Sequence, residues 1–205
     1  MGNIMKLKSI ISIYLLLGIL FSTSMAQSSV SSDIHIVKGK KVSRNISSVS
    51  GDIFIGNGAV VTGNISNVSG DLAVGNKADI GSMKTVSGNI SIGKAAKTGD
   101  MEAVSGDIHL YEKSTIKGSI STVSGDIGCD SGTKISKNII TVSGDIELDD
   151  TRLRGFLQTV SGDISLYNGA VIDGDIIINR KTNNMFNNPG KLKIIVDMNS
   201  VVKGS

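Results

Sequence analysis

Tryptophan is absent from this 205-residue chain, cysteine and proline occur once each, and the aromatic residues are three tyrosines and four phenylalanines. A single cysteine, Cys129, excludes an internal disulfide, so stability has to come from packing. The mature chain's aromatics, Phe54, Tyr111, Phe156, Tyr167 and Phe186, are scattered, which removes the stacking platforms expected of a polysaccharide-binding or polysaccharide-cleaving protein. Basic residues form no run, so there is no electrostatic footprint for nucleic acid. No motif for chemistry is visible, and we expect no enzyme: no catalytic residue, cofactor or metal site is assigned.

The first residues follow the plan of an export signal. Lys6 and Lys8 precede an apolar run from Ile10 to Phe21, and small residues Ser22, Ser24 and Ala26 precede Gln27. Residues 1–26 are therefore read as a signal peptide and 27–205 as the folded domain. The run is shorter than the roughly 20 residues of a spanning helix, and no later segment could span. Gln27 stands where a lipoprotein would carry cysteine. The expected location is periplasmic, cell-surface or extracellular, with no membrane contact after signal removal. Taking Lys6 and Lys8 from 21 basic residues leaves 19 against 18 acidic ones, a nearly neutral mature chain.

What the sequence does contain is one phrase repeated at one spacing. Val-Ser-Gly-Asp-Ile begins at Val49, Val68 (with Leu72), Val86 (with Asn89), Val104, Val123, Val142 and Val160, in steps of 19, 18, 18, 19, 19 and 18 residues. Such a period is too short for a helix pair and marks one coil of a stacked array. A weaker motif follows each valine, at Val61, Ile80, Thr98, Ile116, Ile135, Leu153 and Ile172. Val30-Ser-Ser-Asp-Ile34 extends the array toward the N-terminus, where only Gln27–Ser29 precede the first coil and no cap is evident. Alternation within a coil predicts strand, with Val49, Gly51, Ile53 and Ile55 inward and Ser50, Asp52 and Phe54 outward. Ile55-Gly-Asn-Gly-Ala59 supplies a turn ending on a small inward residue. The fold class expected is all-β: a single-stranded β-solenoid (parallel β-helix) of about eight to nine triangular coils of 18–19 residues. At about 4.8 Å per coil the rod is on the order of 40 Å long. Residues 194–204 match 53–63 without a gap, which places an inserted polar loop at about 179–189, holding the only proline.

Two resemblances follow from these residues. Val61-Thr-Gly-Asn-Ile65, alternating with Ile55-Gly-Asn-Gly-Ala-Val-Val61, resembles the bactofilins, polymer-forming bacterial β-helix proteins. The phrase Thr-Val-Ser-Gly-Asp-Ile at Thr122, Thr141 and Thr159 is similar to exported adhesin-like β-strand repeat families. The first resemblance implies self-assembly, here through the solenoid ends. The second implies an envelope role with a cell-surface or polysaccharide partner.

Stacking turns each motif position into a column. The acidic column is Asp33, Asp52, Asp71, Asn89, Asp107, Asp126, Asp145 and Asp163. Carboxylates about 4.8 Å apart repel by ~1 kcal/mol even in water, so something must compensate. An Asx turn within each bend is the expected compensation, and a row of calcium ions is the alternative. Hydroxyls flank the valine: Ser48, Thr85, Thr122, Thr141 and Thr159 before it and the serines after it. With the valine inward, both rows would face out as a lattice like those of ice-binding solenoids. His35 and His109 share an outward column four coils apart, too far for a joint site, and are expected to be solvated. Cys129 falls in the inward column of Ile55, Val74 and Leu110 as an apolar filler. The function expected is a structural or adhesin-like rod with a repetitive surface; an ice- or cation-binding lattice and a degenerate polysaccharide-active β-helix are the alternatives.

Overall fold

The computed structural model describes residues 27–29, 31–178, 194–197 and 199–204, in which all regular structure is β. Residues 1–26, read above as a signal peptide, Val30 and the expected inserted loop lie outside the described residues. Each coil contributes one strand to each of three nine-stranded sheets, and every strand pairs in parallel with its counterparts one coil before and after. One coil illustrates the plan. Ile120–Ser124 lies in the first sheet, Ile127–Cys129 in the second and Lys134–Ile135 in the third. This is the expected triangular β-solenoid.

The interior is built from columns. Ile46, Ile65, Met83, Met101, Ile120, Ile139 and Leu157 line the first sheet at 0–1% exposure. Ile53 and Ile55, with their equivalents through Ile164 and Leu166, line the second. The third carries Val61, Ile80, Ile116, Ile135, Leu153 and Ile172, with a small residue at the preceding corner, such as Ala59, Ala78, Ala96 or Ala170. Each fully buried isoleucine or leucine is worth roughly 1.5–3 kcal/mol. Repeating that gain coil after coil holds the rod without a disulfide. Cys129 is one of these fillers: it is buried, and burial pushes its thiol well above the ordinary range, with the nearby Asp130 carboxylate adding to the effect.

The alternation expected for the repeated phrase is out of phase in its first half. In Ile120–Ser124 the buried residues are Ile120 and Thr122, while Val123 is half-buried and Ser124 exposed. In all seven coils that carry the phrase the residue before the valine is buried and the valine is not, and Val49 is 42% exposed. The valines therefore form an outer column and the residues before them, Ser48, Asn67, Thr85, Ala103, Thr122, Thr141 and Thr159, an inner one. The cause is the glycine that follows. Gly51, Gly70, Gly88, Gly106, Gly125, Gly144 and Gly162 hold φ between +124° and +147°, and this corner resets which side of the chain faces inward. Alternation cannot be counted through it. The expected outward threonine row does not exist, and the ice-binding lattice loses one of its two hydroxyl rows.

A second correction concerns the N-terminal end. Gln27–Ser29 do not merely precede the array, because they pair with Ile46, Ser47 and Ser48 as the outermost strand of the first sheet. At the other end the array resumes as expected after the insertion: Ile194–Val196 pairs with Ile164–Leu166, and Val201–Val202 with Val171–Ile172.

Two glycine columns differ in what they tolerate. At Gly125 a Cβ would be strained by φ of +142° and would collide with the carbonyl oxygen of Gly106 in the previous coil. Gly58 also has positive φ, +67°, but meets nothing within 4 Å, and its counterpart Ala95 adopts φ of 55°. Backbone strain of this kind costs about 1–3 kcal/mol, and the collision adds to it. We expect Gly125→Ala to lose at least about 3 kcal/mol in urea unfolding and Gly58→Ala no more than about 1 kcal/mol. Equal losses would contradict the stacked corner. The inner hydroxyls give a second prediction. Thr122 and Thr141 Oγ1 are buried and find no hydrogen-bond partner among the described residues. Replacing such a hydroxyl by a methyl of the same shape removes a desolvation cost of about 1 kcal/mol. Thr122→Val should therefore raise the melting temperature; a neutral or lowered value would show that the hydroxyl is satisfied.

Candidate functional site

The corner after the first sheet carries the acidic column, and its bonding runs between coils. Asp52 N–H donates to Asp33 Oδ1 at 2.9 Å, Asp71 N–H to Asp52 Oδ1 at 2.8 Å, and Asn89 N–H to Asp71 Oδ1 at 2.7 Å. Asp107 N–H then donates to Asn89 Oδ1 at 2.9 Å, and Asp126, Asp145 and Asp163 continue the chain at 2.7–2.8 Å. Each side chain thus accepts from the backbone of the next coil rather than closing a turn of its own, as the sequence had suggested. The amide group of Asn89 serves in the same place, which shows that the ladder needs an oxygen and not a charge.

The other two corners use the same device, with asparagine as the acceptor at Asn45, Asn57, Asn76 and Asn138 and aspartate at Asp100. Asn64 N–H donates to Asn45 Oδ1 at 2.9 Å, Ser119 N–H to Asp100 Oδ1 at 2.8 Å and Phe156 N–H to Asn138 Oδ1 at 3.1 Å. At the third corner Asn76 N–H reaches Asn57 Oδ1 at 2.8 Å and Lys94 N–H reaches Asn76 Oδ1 at 2.9 Å. Strands cannot continue their ladder through a corner, and these acceptors take up the backbone donors left there.

The three outer faces differ in chemistry. The first presents the valine and serine columns, and its strands carry Lys84 and Glu102, paired at 2.8 Å in adjacent coils, as their charged residues. The third collects Lys41, Lys97, Lys134 and Arg152, with Asp79 in the same column. Ion pairs temper it: Lys117 to Asp79 at 3.0 Å, and Arg152 and Lys203 both to Asp173 at 3.0 Å. These two cations hold the Asp173 carboxyl below its usual range.

On the second face the histidines are not simply solvated. His35 stacks on Phe54 one coil away, with ring centres 4.8 Å apart and planes 9° from parallel. The stack borders a shallow groove of roughly 370 Å³ lined by Val37, Phe54, Gly56, Ala73 and Gly75. His109 Nε2 lies 3.1 Å from an Asp130 carboxylate oxygen, and its ring meets Tyr111 edge-on at 4.6 Å. Both contacts were visible in principle: Phe54 follows His35 by one repeat, and Asp130 lies one repeat plus two residues beyond His109. The structure leaves the two histidines in separate coils and Cys129 inside, and does not bring these three side chains together. Among the described residues no group of three or more His, Cys, Asp or Glu is arranged to hold a metal ion.

The ladder geometry separates the turn reading from the ion-row reading. Asp126→Asn keeps the oxygen that accepts from Asp145 N–H and should change stability by less than about 0.5 kcal/mol, whereas Asp126→Ala removes it and should cost about 1 kcal/mol. Melting in chelator and then in calcium should give the same midpoint. A midpoint raised by calcium, through binding only to the folded rod, would restore the ion row.

No curated protein and no solved structure matches the chain. The family model of Toastrack DUF4097 matches residues 77–200, more than half of the 205 residues, and these include the acidic ladder from Asn89 to Asp163, the valine column from Val86 to Val160 and most of the interior just described. The chain belongs to the Toastrack DUF4097 family.

Proposed function

We propose that the protein is an exported, non-catalytic structural rod that presents a repetitive, adhesin-like surface at or outside the cell envelope and adds further copies end to end. The carrying observation is the column order itself. The first sheet and its corner turn the same side chains outward coil after coil, and the carboxylates of that corner are occupied in coil-to-coil bonds instead of converging on one point. The groups best suited to chemistry lie apart, with Cys129 buried and the two histidines four coils from each other.

Export is supported by Lys6, Lys8 and the apolar run to Phe21. No helix among the described residues is long and apolar enough to cross a membrane. End-to-end growth is supported by the outermost described strands, Gln27–Ser29, Ile34–Ile36 and Lys41–Val42 at one end and Ile176–Ile178, Ile194–Val196 and Val201–Val202 at the other. An open strand edge is a template for another chain. A polysaccharide partner is a second reading, favoured by the groove beside the His35–Phe54 stack, whose apolar ring and glycine floor suit a sugar face.

The end contact has a clean test. Val201 N–H and Lys203 N–H donate inward, to Ala170 and Ile172 carbonyls, so the Val202 N–H points away from the coil. Val202→Pro deletes an outward donor and leaves the inward bonds intact. Sedimentation of residues 27–205 over a dilution series should show species that lengthen with concentration for wild type and stop lengthening for Val202→Pro. A wild-type chain that never lengthens would remove end-to-end growth from the proposal.

A further inference from the structure

The first sheet is the widest side of the rod, with five-residue strands where the others have two to four in most coils. Its strands carry two charged residues, Lys84 and Glu102, and these are paired with each other. Its outer surface combines the half-buried valine column with the exposed serine column and, in the next column, Ile140 and Ile177. An apolar row continuous from Val49 to Val160 on a flat sheet is unlike the scattered exposed hydrophobics of an ordinary surface.

We infer that this face is an interface between two copies of the chain, packed face to face with the rods antiparallel. Three observations fix the occupant. The first is repeat: a partner presenting one apolar side chain per coil at the same spacing is a second copy of this array. The second is charge. Lys84 and Glu102 stand in adjacent coils of one outer column near the middle of the rod. A two-fold axis running along the strands between those coils sets Lys84 of each copy against Glu102 of the other, so four charges alternate in sign. A parallel pair sets that column against the serine corner and gains nothing from it. The third is area. Eight strands overlap at about 4.8 Å, six of them about 16 Å long and the two outermost about 10 Å, which gives roughly 550 Å² per copy and about 1,100 Å² in all, above the roughly 1,000 Å² that a specific interface has to clear. The contact is isologous and closes at two copies, whereas end contacts propagate. It therefore stands or falls independently of end-to-end growth.

Sedimentation of the Val202→Pro protein, in which end growth is blocked, isolates the face contact. We expect a reversible dimer that Val104→Lys, an outward substitution in the valine column, converts to monomer with the melting temperature kept close to the parent's. Glu102→Lys should weaken the dimer at least tenfold by opposing like charges, and the swapped pair Lys84→Glu with Glu102→Lys should restore it. Orientation is read by oxidation. Val49 of one copy meets Val142 of the other, so Val49→Cys and Val142→Cys proteins should cross-link when mixed and not alone, with buried Cys129 silent. A monomer at every concentration, a dimer indifferent to Val104→Lys, or self-cross-linking of Val49→Cys would each overturn the inference.

Discussion

Everything in this rod depends on one constraint: each coil must return to the same register above the last. Backbone bonds between coils enforce it along the strands, and side-chain oxygens enforce it at the corners, where the ladder would otherwise lapse. The constraint explains how coils of 18 and 19 residues coexist. From Val61 the chain takes four residues to reach Ile65, but from Ile80 only three to reach Met83, and both pairs still stack: Val61 on Ile80 and Ile65 on Met83. The missing residue is absorbed in the bend between the third and first sheets. In the coil of Ile146 the shortening falls elsewhere, between Leu148 and Thr151, where Asp150 takes φ of 39°. Length varies only where no strand pairing is at stake.

The same constraint decides what was legible in the sequence. Period, coil number, sheet assignment and most of the interior follow from counting, because register makes each motif position a physical column. Two things do not follow from counting. The side on which the valines fall depends on the glycine backbone at the corner, and a φ near +140° changes the phase of a strand without changing its spacing. The partner of each aspartate depends on whether its oxygen reaches its own turn or the next coil, and the residue pattern is identical in both cases. The aromatic contact of His35 was available from the alignment, since Phe54 occupies the same column in the following coil.

Polar groups inside the rod obey the corners too. Asn67 sits in the inner column beside the glycine bend and donates from Nδ2 to the carbonyls of Gly51, at 3.0 Å, and Gly70, at 2.9 Å. Thr98 bonds the Gly81 carbonyl at 3.0 Å, and Thr133 the Asp130 carbonyl at 2.7 Å. A bend exposes carbonyls to the interior that no strand can satisfy, and a short polar side chain next to it is the least costly answer. Where the hydroxyl finds no such carbonyl, as at Thr85, the residue keeps the β-branched shape a strand favours and leaves a polar atom unmatched. Interior hydroxyls are therefore a consequence of corner geometry, not a buried site.

A molecule ordered in columns distributes its function along them, and this sets how association can arise. One valine on one coil contributes a small patch, and the patch becomes a surface only because register repeats it. The faces differ in the outcome they allow. The third face gathers lysines and arginine, and a second copy approaching it would meet like charge. The first face carries a self-complementary arrangement in which Lys84 and Glu102 are exchanged by a two-fold rotation. Contacts at the ends have no such rotation, since one end is always the start of a coil and the other its finish, so they extend instead of closing. A chain using both would build paired filaments with the basic faces outward, and their thickness would be fixed by the face while their length would be set by concentration.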